Sequence, residues 1–511
     1  MNVNDKKSFY LYTLIVFSII LLVNVISYNR PVRIDLTDNQ IFTLSNSTES
    51  VLSKINDNLI ISIYFSDDLP SVLSNNSRFI QDILEEYQAH SNGNIRFEFK
   101  NPDSDETAKL DAQSLGIQPV QVNVWENDRR ETRLIYLGIG MSYQGRSEAM
   151  PVVQNTTGFE YDLTKKIKKL IDTDLKSIGI AKFASSNKTN QGIQQLLAES
   201  YNIMDVSMSS EVPSDVGALI INGVSDSLSV DELKNLKDFI NNGGNILMAQ
   251  GRVDVGLNQQ MGFFEGINVQ SNIFSLLNEY GVNIEENLLL DKQNGQINIP
   301  QQVSIFQTWA SHDYPFFPTI NSFNSNEAIV SGLEKVQFHF CSEITIDSLA
   351  SNVIPIMFTS EQSGTMAGYY NLFPSTANAP NPILNNLNEG VKFVGVLIDN
   401  MSGGNIILLS ESSILADPTD QNLLRVFAQR QQDNYTFIEN SIDYLMGDEE
   451  LVALRSREIL DRPLISDLDD NSRSWWKWFN IIISPLLIML VGFLRFRSQK
   501  KRSEQLKLHY G

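Results

Sequence analysis

The chain has 511 residues, 19% of them charged, with 39 Lys and Arg against 60 Asp and Glu and a formal net charge of −21. Nine of those basic residues but two of the acidic ones lie outside 30–474, so that stretch carries 30 basic against 58 acidic side chains, a net −28. Such a surface repels nucleic acid and anionic lipid and excludes both as ligands, and a single cysteine, Cys341, excludes an intrachain disulfide.

Two long uncharged stretches stand at opposite ends. Ser8 to Asn29 contains LYTLIVFSIILLVNVI, and Trp478 to Leu494 contains FNIIISPLLIMLVGFL. Roughly 20 apolar residues cross a bilayer's hydrocarbon core as a helix, so one transmembrane helix is expected in 1–29 and another in 475–495. The first ends in SYNRPVR with no small-x-small cleavage site, which reads as an uncleaved anchor. Beyond the second lie Arg495, Arg497, Lys500, Lys501, Arg502 and Lys507 against one acid, Glu504. The positive-inside bias puts that tail, 496–511, in the cytoplasm, and Trp475, Trp476 and Trp478 suit the opposite interface. Two spans then place both termini in the cytoplasm and the body outside it.

Residues 30–150 are expected to form a small α/β domain with a mixed sheet. A polar cap at Ser45–Glu49 opens a short helix, and LIISIYFS (Leu59–Ser66) is a strand stopped by Asp67, Asp68 and Pro70. Phe79, Ile80, Ile83, Leu84 and Tyr87 fall at helical spacing. A strand at Asn94–Lys100, a helix at Glu106–Leu115 ended by Gly116, and strands at Val120–Trp125 and Thr132–Tyr143 follow. Phe159, Leu163, Ile167, Leu170 and Ile171 mark a linking helix within 151–175.

Residues 176–455 are expected to form a larger, Rossmann-like, doubly wound α/β domain with long insertions. SIGIAKF is a strand, Gln191–Glu199 a helix, Tyr201–Val206 a strand, and GALIING (217–223) a continuous apolar run suited to a parallel strand buried on both faces. Ser229 is placed to cap the next helix, Glu232 completes a capping box, and Leu228 can staple to Leu233. Gly243 ends it, and Asn245–Ala249 is the next strand, so strand, helix and strand form a right-handed crossover. From Gly251 the pattern loosens, SNIFSLLNEYGVNIEENLLLD resumes a helix and strand, and 292–330 reads as a polar excursion. Strands at Val336–Phe340, Val353–Phe358, Lys392–Ile398 and Asn405–Leu409 return the chain to a sheet. A helix near Tyr435–Met446 stops at Gly447, and 456–474 is a linker.

No constellation for chemistry emerges, so no catalytic, cofactor-binding or metal-ligating residue is assigned, no cofactor is expected, and the chain is read as a non-enzyme. Gly243–Gly244 and Gly403–Gly404 fit no phosphate loop; each precedes a strand, and they read as a helix cap and a hairpin turn. Gly138 and Gly140 make an uninformative GxG. His90, His312, His339 and His509 have no His or Cys neighbour at metal-ligand spacing. Ser311, His312 and Asp313 are consecutive, whereas a triad needs side chains converging from separate elements. The doubly wound pattern resembles class I glutamine amidotransferases, but after Asn245–Ala249 the chain reads QGRVDVGL, with no nucleophile at an elbow. Cys341 sits in HFCSE without flanking glycines, and LSESSIL (409–415) lacks them too. Asp67/Asp68, Glu285/Glu286 and Asp469/Asp470 read as solvated surface.

RIDLTDNQIFTLSNSTESVLSKI after the first span resembles the ABC transporter auxiliary proteins associated with bacterial gliding motility (the Gld G type), in which a DLT…TLS…T…L signature follows an N-terminal anchor. The DVGALIINGVSDSLSVDELKNLKDFINNGGNILM block, LLNEYGVNIEENLLLD, YPFFP (314–318) and ENSIDYLMGDEELVALRSREILDRPL extend the resemblance over nearly the whole chain. SESS at 410–413 departs from the glycine–aspartate pair expected there. The resemblance implies a non-catalytic, two-pass subunit of the bacterial inner membrane with a periplasmic body. A separate ABC ATPase and a separate permease would be its partners, in gliding or in export of cell-surface components. A glycan- or solute-binding module of the cell envelope is the alternative, and a homodimer and a cell-envelope glycan stay open as further partners.

Overall fold

Leu59, Ile61, Ile63 and Phe65 alternate along β1 (Leu59–Phe65), and all four are buried on one face. The computed structural model describes residues 13–18, most of 43–448, Val452, Leu454 and parts of 474–500. Within 43–448 it leaves out 127–128, 154–155, 157, 173–174, 185–190, 259, 261–262, 304–305, 375–380, 382–386, 401–402 and 416–431. Most of the first expected span, the segment around Asp35–Thr37, nearly all of the 456–474 linker and most of the basic tail lie outside the described residues.

The small sheet has the order β2–β1–β5–β6 and is mixed. β2 (Ile95–Lys100) runs parallel to β1, while β5 (Leu137–Tyr143) runs antiparallel to it and β6 (Arg146–Met150) closes the edge. Three helices cover the face that carries Ile61: α1 (Asn46–Ser53), α2 (Ser71–His90) and α4 (Phe159–Ile171). On the opposite face α3 (Glu106–Ser114) packs Ala108 and Ala112 against Tyr64. The GxG of β5 acquires a reason here, since a methyl on Gly138 would strike Ile117 and one on Gly140 would strike Leu115. The strand expected over Thr132–Tyr143 is two strands. β4 (Arg129–Ile135) pairs with β3 (Val120–Glu126) as a separate hairpin, and β5 joins the sheet. The switch occurs at Tyr136, whose N–H donates to Ser66 Oγ at 2.9 Å and whose carbonyl accepts from Ser66 N–H at 3.2 Å.

β7 (Ser177–Lys182), β8 (Asn202–Ser207), β9 (Val216–Asn222), β10 (Asn245–Ala249) and β23 (Ile406–Leu409) are mutually parallel, in spatial order β8–β7–β9–β10–β23. Along the chain that order is 2-1-3-4-5, which places a topological switch point between β7 and β9. Both faces are covered. Ile178, Ile180, Ala218, Ile220 and Leu247 pack with α5 (Gln191–Leu197) and α8 (Gln432–Leu445), whereas Leu219, Ile221, Ile246 and Met248 pack with α6 (Val230–Asn241) and α7 (Ile273–Glu279). Each Å2 of apolar surface these two layers remove from water stabilises the domain by roughly 25 cal/mol.

The long stretch between β10 and β23 is not loose. β11 (Val253–Asn258) and β12 (Phe263–Asn268) form a hairpin, and β13 (Val282–Ile284) adds to the far edge of the large sheet through β19 (Ile344–Ile346). β14 (Asn287–Asp291) pairs with β21 (Ser363–Ala367) further on, while β15 (Asn294–Val303) and β16 (Phe306–Ile320) form a long hairpin where the composition suggested an excursion. After β17 (Ser322–Phe323) come β18 (Val336–Gln337), β19 (Ile344–Ile346), β20 (Val353–Phe358), β21 (Ser363–Ala367) and β22 (Phe393–Ile398). β22 lies antiparallel to both β20 and β23. Phe264, Tyr314, Phe316, Phe317 and Phe340 give this insertion its own aromatic core, with Tyr314 and Phe317 edge to face at 4.8 Å.

α4 makes polar contacts with both its sides. Toward the small sheet, Glu160 Oε1 accepts from Ser45 N–H (2.9 Å), Ser45 Oγ (3.0 Å) and Thr48 Oγ1 (2.6 Å). Tyr87 and Thr164 share a hydroxyl contact of 2.6 Å beside them. Toward the large sheet, Lys165 reaches Glu439 at 3.0 Å and Lys168 reaches Asp448 at 2.8 Å. The compact unit up to Ile459 contains all of this, and Leu460–Gly511 forms a second unit. In that unit 474–479 is helical, with Trp475 stacked on Phe479 at 5.2 Å and Trp475, Trp476 and Trp478 all exposed. Among the described residues no helix is long and apolar enough to cross a membrane.

Candidate ligand site at the carboxyl edge of the parallel strands

In open parallel sheets the crevice outside the carboxyl ends, at the switch point, is where ligands bind. Here that edge is formed by the ends of β7, β9, β10 and β23, and each apolar run ends in polar residues: Lys182, Asn222, Gln250, and Ser410 with Glu411.

The capping box read from sequence fixes one wall. Ser229 caps α6 and Glu232 returns to the Ser229 N–H at 2.9 Å, while its other oxygen accepts from Ala184 N–H at 2.8 Å, just beyond β7. Burial works against the Glu232 charge, but the N–H groups of Ala184 and Ser229 outweigh it and hold the carboxyl below its ordinary range. The N-terminus of α6 is therefore tied to the exit of β7.

Gln250 occupies the position after β10 where an amidotransferase-like elbow would carry a nucleophile. It is 1% exposed, and its amide accepts from Val224 N–H (2.7 Å) and donates to the Val224 and Gly251 carbonyls (3.1 and 2.8 Å). This side chain is wholly engaged in closing the loop after β9 and leaves no group free to attack.

Asn222 differs. It is 6% exposed, yet among the described residues neither its Oδ1 nor its Nδ2 has a hydrogen-bond partner. Buried polar groups are nearly always paired, and leaving one unpaired costs roughly 1–3 kcal/mol. Alternation puts Asn222 on the α5 and α8 face, following Ala218 and Ile220. Lys182 follows Ile178 and Ile180 on that same face, and the pairing of Ile180 with Ile220 sets it beside Asn222. Its ammonium meets Asp205 Oδ1 at 3.4 Å, and Asp205 is 62% exposed.

The residues weighed in the sequence are placed as follows. Ser311, His312 and Asp313 are successive residues of β16. Ser311 Oγ donates to Asn298 and Asp313 accepts from Gln296, so they do not converge. Cys341 is fully buried, and burial, with the Glu411 and Asp291 carboxylates adding, pushes its thiol well above the ordinary value, the reverse of what a nucleophile requires. Gly243 has φ 91° at the end of α6, and Gly403–Gly404 lie between the antiparallel β22 and β23. Ser410 Oγ donates to the Val394 carbonyl at 3.3 Å and Ser413 donates to Glu411, which accounts for two serines of the SESS segment. His90 faces Glu49 at 3.4 Å, and His339 packs edge-on against Phe317 at 4.6 Å. Asp68 pairs with Arg133, Asp67 accepts from Asn101, Glu285 accepts from Thr345, and Glu286 pairs with Arg252 at 2.6 Å. His509, Asp469 and Asp470 lie outside the described residues. No group of three or more His, Cys, Asp or Glu among the described residues could hold a metal ion. Lys182 and Asn222 were missed. Their signal is a polar residue of inward parity at the end of each apolar strand, SIGIAK and VGALIIN.

Residues 175–442 match the family model described as an ABC-type uncharacterized transport system, and residues 38–142 match a domain of unknown function. A protein of Borreliella burgdorferi is 23% identical over 495 residues, covering 92% of this chain and 94% of its own. Among solved structures, the mmIFT52 N-terminal domain aligns with a TM-score of 0.33 and 15% identity over 53% of this chain and 97% of its own. A glutamine amidotransferase from Thermotoga maritima aligns with a TM-score of 0.27 and 9% identity over 53% of this chain and 99% of its own.

Proposed function

Because the chain belongs to the ABC-type uncharacterized transport system family, we propose that it is the accessory, non-catalytic subunit of an ABC transporter, working beside a separate ATPase and a separate permease. The sequence has no Walker motif, so the energy of transport must come from a partner. The two uncharged terminal stretches anchor it in the bacterial inner membrane, with the acidic body in the periplasm and the basic tail on the ATPase side. The resemblance to the gliding-motility proteins points to gliding or to export of a cell-surface component as the process served.

The observation that carries the reading is Gln250. At the place where this kind of fold can hold a nucleophile, the chain has an amide whose donor and acceptor are both engaged, so the carboxyl edge holds rather than reacts. The free amide of Asn222 favours, as a second reading within the same role, that this edge holds a solute. Purification of the full chain from mild detergent tests the complex. An ATPase and a multispan permease are expected to come with it in fixed ratio; recovery of the chain alone, from cells that express its neighbours, rejects the reading.

A further inference from the structure

We propose that Lys182 and Asn222 bind a small carboxylic acid bearing a hydroxyl or N–H group on the carbon next to its carboxylate. The two side chains stand on adjacent parallel strands, which lie roughly 4.8 Å apart, and on one face of the sheet at its switch point. Lys182 supplies a cation that is 38% exposed and that, among the described residues, is held by one exposed carboxylate. Such surface pairs are weak, so a ligand carboxylate displaces Asp205 readily. Asn222 supplies the rest. Its Nδ2 donates to the second carboxylate oxygen, and its Oδ1, the unpaired acceptor, takes a hydrogen from the neighbouring hydroxyl or N–H.

A simple fatty or aromatic acid would leave Oδ1 unpaired, and an ester would leave Lys182 unmatched, so the site discriminates by penalty as well as by contact. The net −28 of the body disfavours polyanions, and Lys182 is the one cation the pair offers a carboxylate. The proposal rests on the solute-holding role given above and names its ligand class.

The test is calorimetric titration of the full chain in detergent with lactate, alanine and N-acetylalanine, against propionate and the methyl ester of lactate. Lactate, one of the amino acids, or both are expected to bind, with propionate and the ester at least tenfold weaker. The Asn222→Ala and Lys182→Met variants should each lose at least tenfold. Because Asn222 has no hydrogen-bond partner among the described residues, Asn222→Ala should melt no lower than the parent. A hydroxy acid binding without the amino acids, or the reverse, identifies the neighbouring group and supports the proposal. Equal binding of ester and acid, no binding by any acid, or a melting point of Asn222→Ala several degrees lower would each overturn it. Asn222→Ala should still bring down the same ATPase and permease, so a parent chain that brings both down but binds none of the acids refutes this site and leaves the transport assignment standing.

Discussion

Gly404 lies with its backbone against Gly244: its N–H donates to the Ile240 carbonyl at 2.9 Å, and a methyl group on it would collide with the Gly244 carbonyl. Next to them Asn405 N–H donates to Asn245 Oδ1 at 2.8 Å, joining residues 160 apart in sequence. The two glycine pairs that could be taken for phosphate loops are one packed junction, the place where β23 enters beside β10. Gly404→Ala should therefore cost roughly 1–3 kcal/mol, the usual range for overpacking. Gly256→Ala, where an added methyl meets nothing within 4 Å, should stay within about 0.5 kcal/mol. Urea unfolding of both variants checks the contrast, and equal midpoints would show that the junction yields.

Glu160 is the buried partner of the TLS segment. Ser45 and Thr48 place three donors on one of its oxygens, and it is 7% exposed. Glu160→Ala strands those donors and is expected to cost roughly 1–3 kcal/mol. Thr48→Val removes one donor and should cost less. If Thr48→Val proves the worse of the two in a thermal melt, the carboxylate is not the hub of this contact.

What the sequence could and could not disclose follows from range. The capping box of Ser229 and Glu232, the strands β1, β7, β9 and β10, and the amphipathic α4 are local patterns, and the structure has them within a few residues of expectation. The Ser45–Glu160 hub joins residues 115 apart and leaves no local trace. The β15–β16 hairpin is hidden for a different reason. Its strands carry Gln, Asn, Ser and Pro where period-2 alternation would call for apolar residues, so composition overrides the pattern. Asn222 falls inside the run GALIING (217–223), but that it is unpaired was not legible, because pairing is a property of the assembled edge.

Glu232 gives the carboxyl edge a pH dependence of known sign. Its folded-state carboxyl is held below the ordinary value, so its contribution is fully present above the unfolded-state value, about 4.3. It is lost as pH falls through the lower folded-state value. Glu232→Gln should lower stability at neutral pH by about 1 kcal/mol, the scale of a capping interaction. The gap between variant and parent should close as the acid limb is descended. Denaturant titrations at neutral pH and in strong acid measure it, and a gap that widens in acid would reverse the assigned sign.

Lys165 and Glu439 clamp α4 to α8 at 3.0 Å, with the two side chains 15% and 17% exposed. Burial alone would lower the Lys165 ammonium, but Tyr161 and the Glu439 carboxylate outweigh it and hold it above its ordinary value. A raised cation contributes fully below its unfolded-state value and loses that contribution as pH rises through the folded-state one, so this clamp should be insensitive to pH from about 6 to 9. Removing one partner leaves an uncompensated buried charge, which typically costs about 3–5 kcal/mol; replacing both with apolar groups of similar volume is often close to neutral. Lys165→Met and Glu439→Leu should each destabilise strongly, and the double variant should recover most of the loss. Additive losses in urea unfolding would mean that the two charges do not depend on one another. The Lys168–Asp448 pair, at 2.8 Å, and the Lys166–Glu199 pair, at 3.8 Å, tie the same helix independently of this clamp.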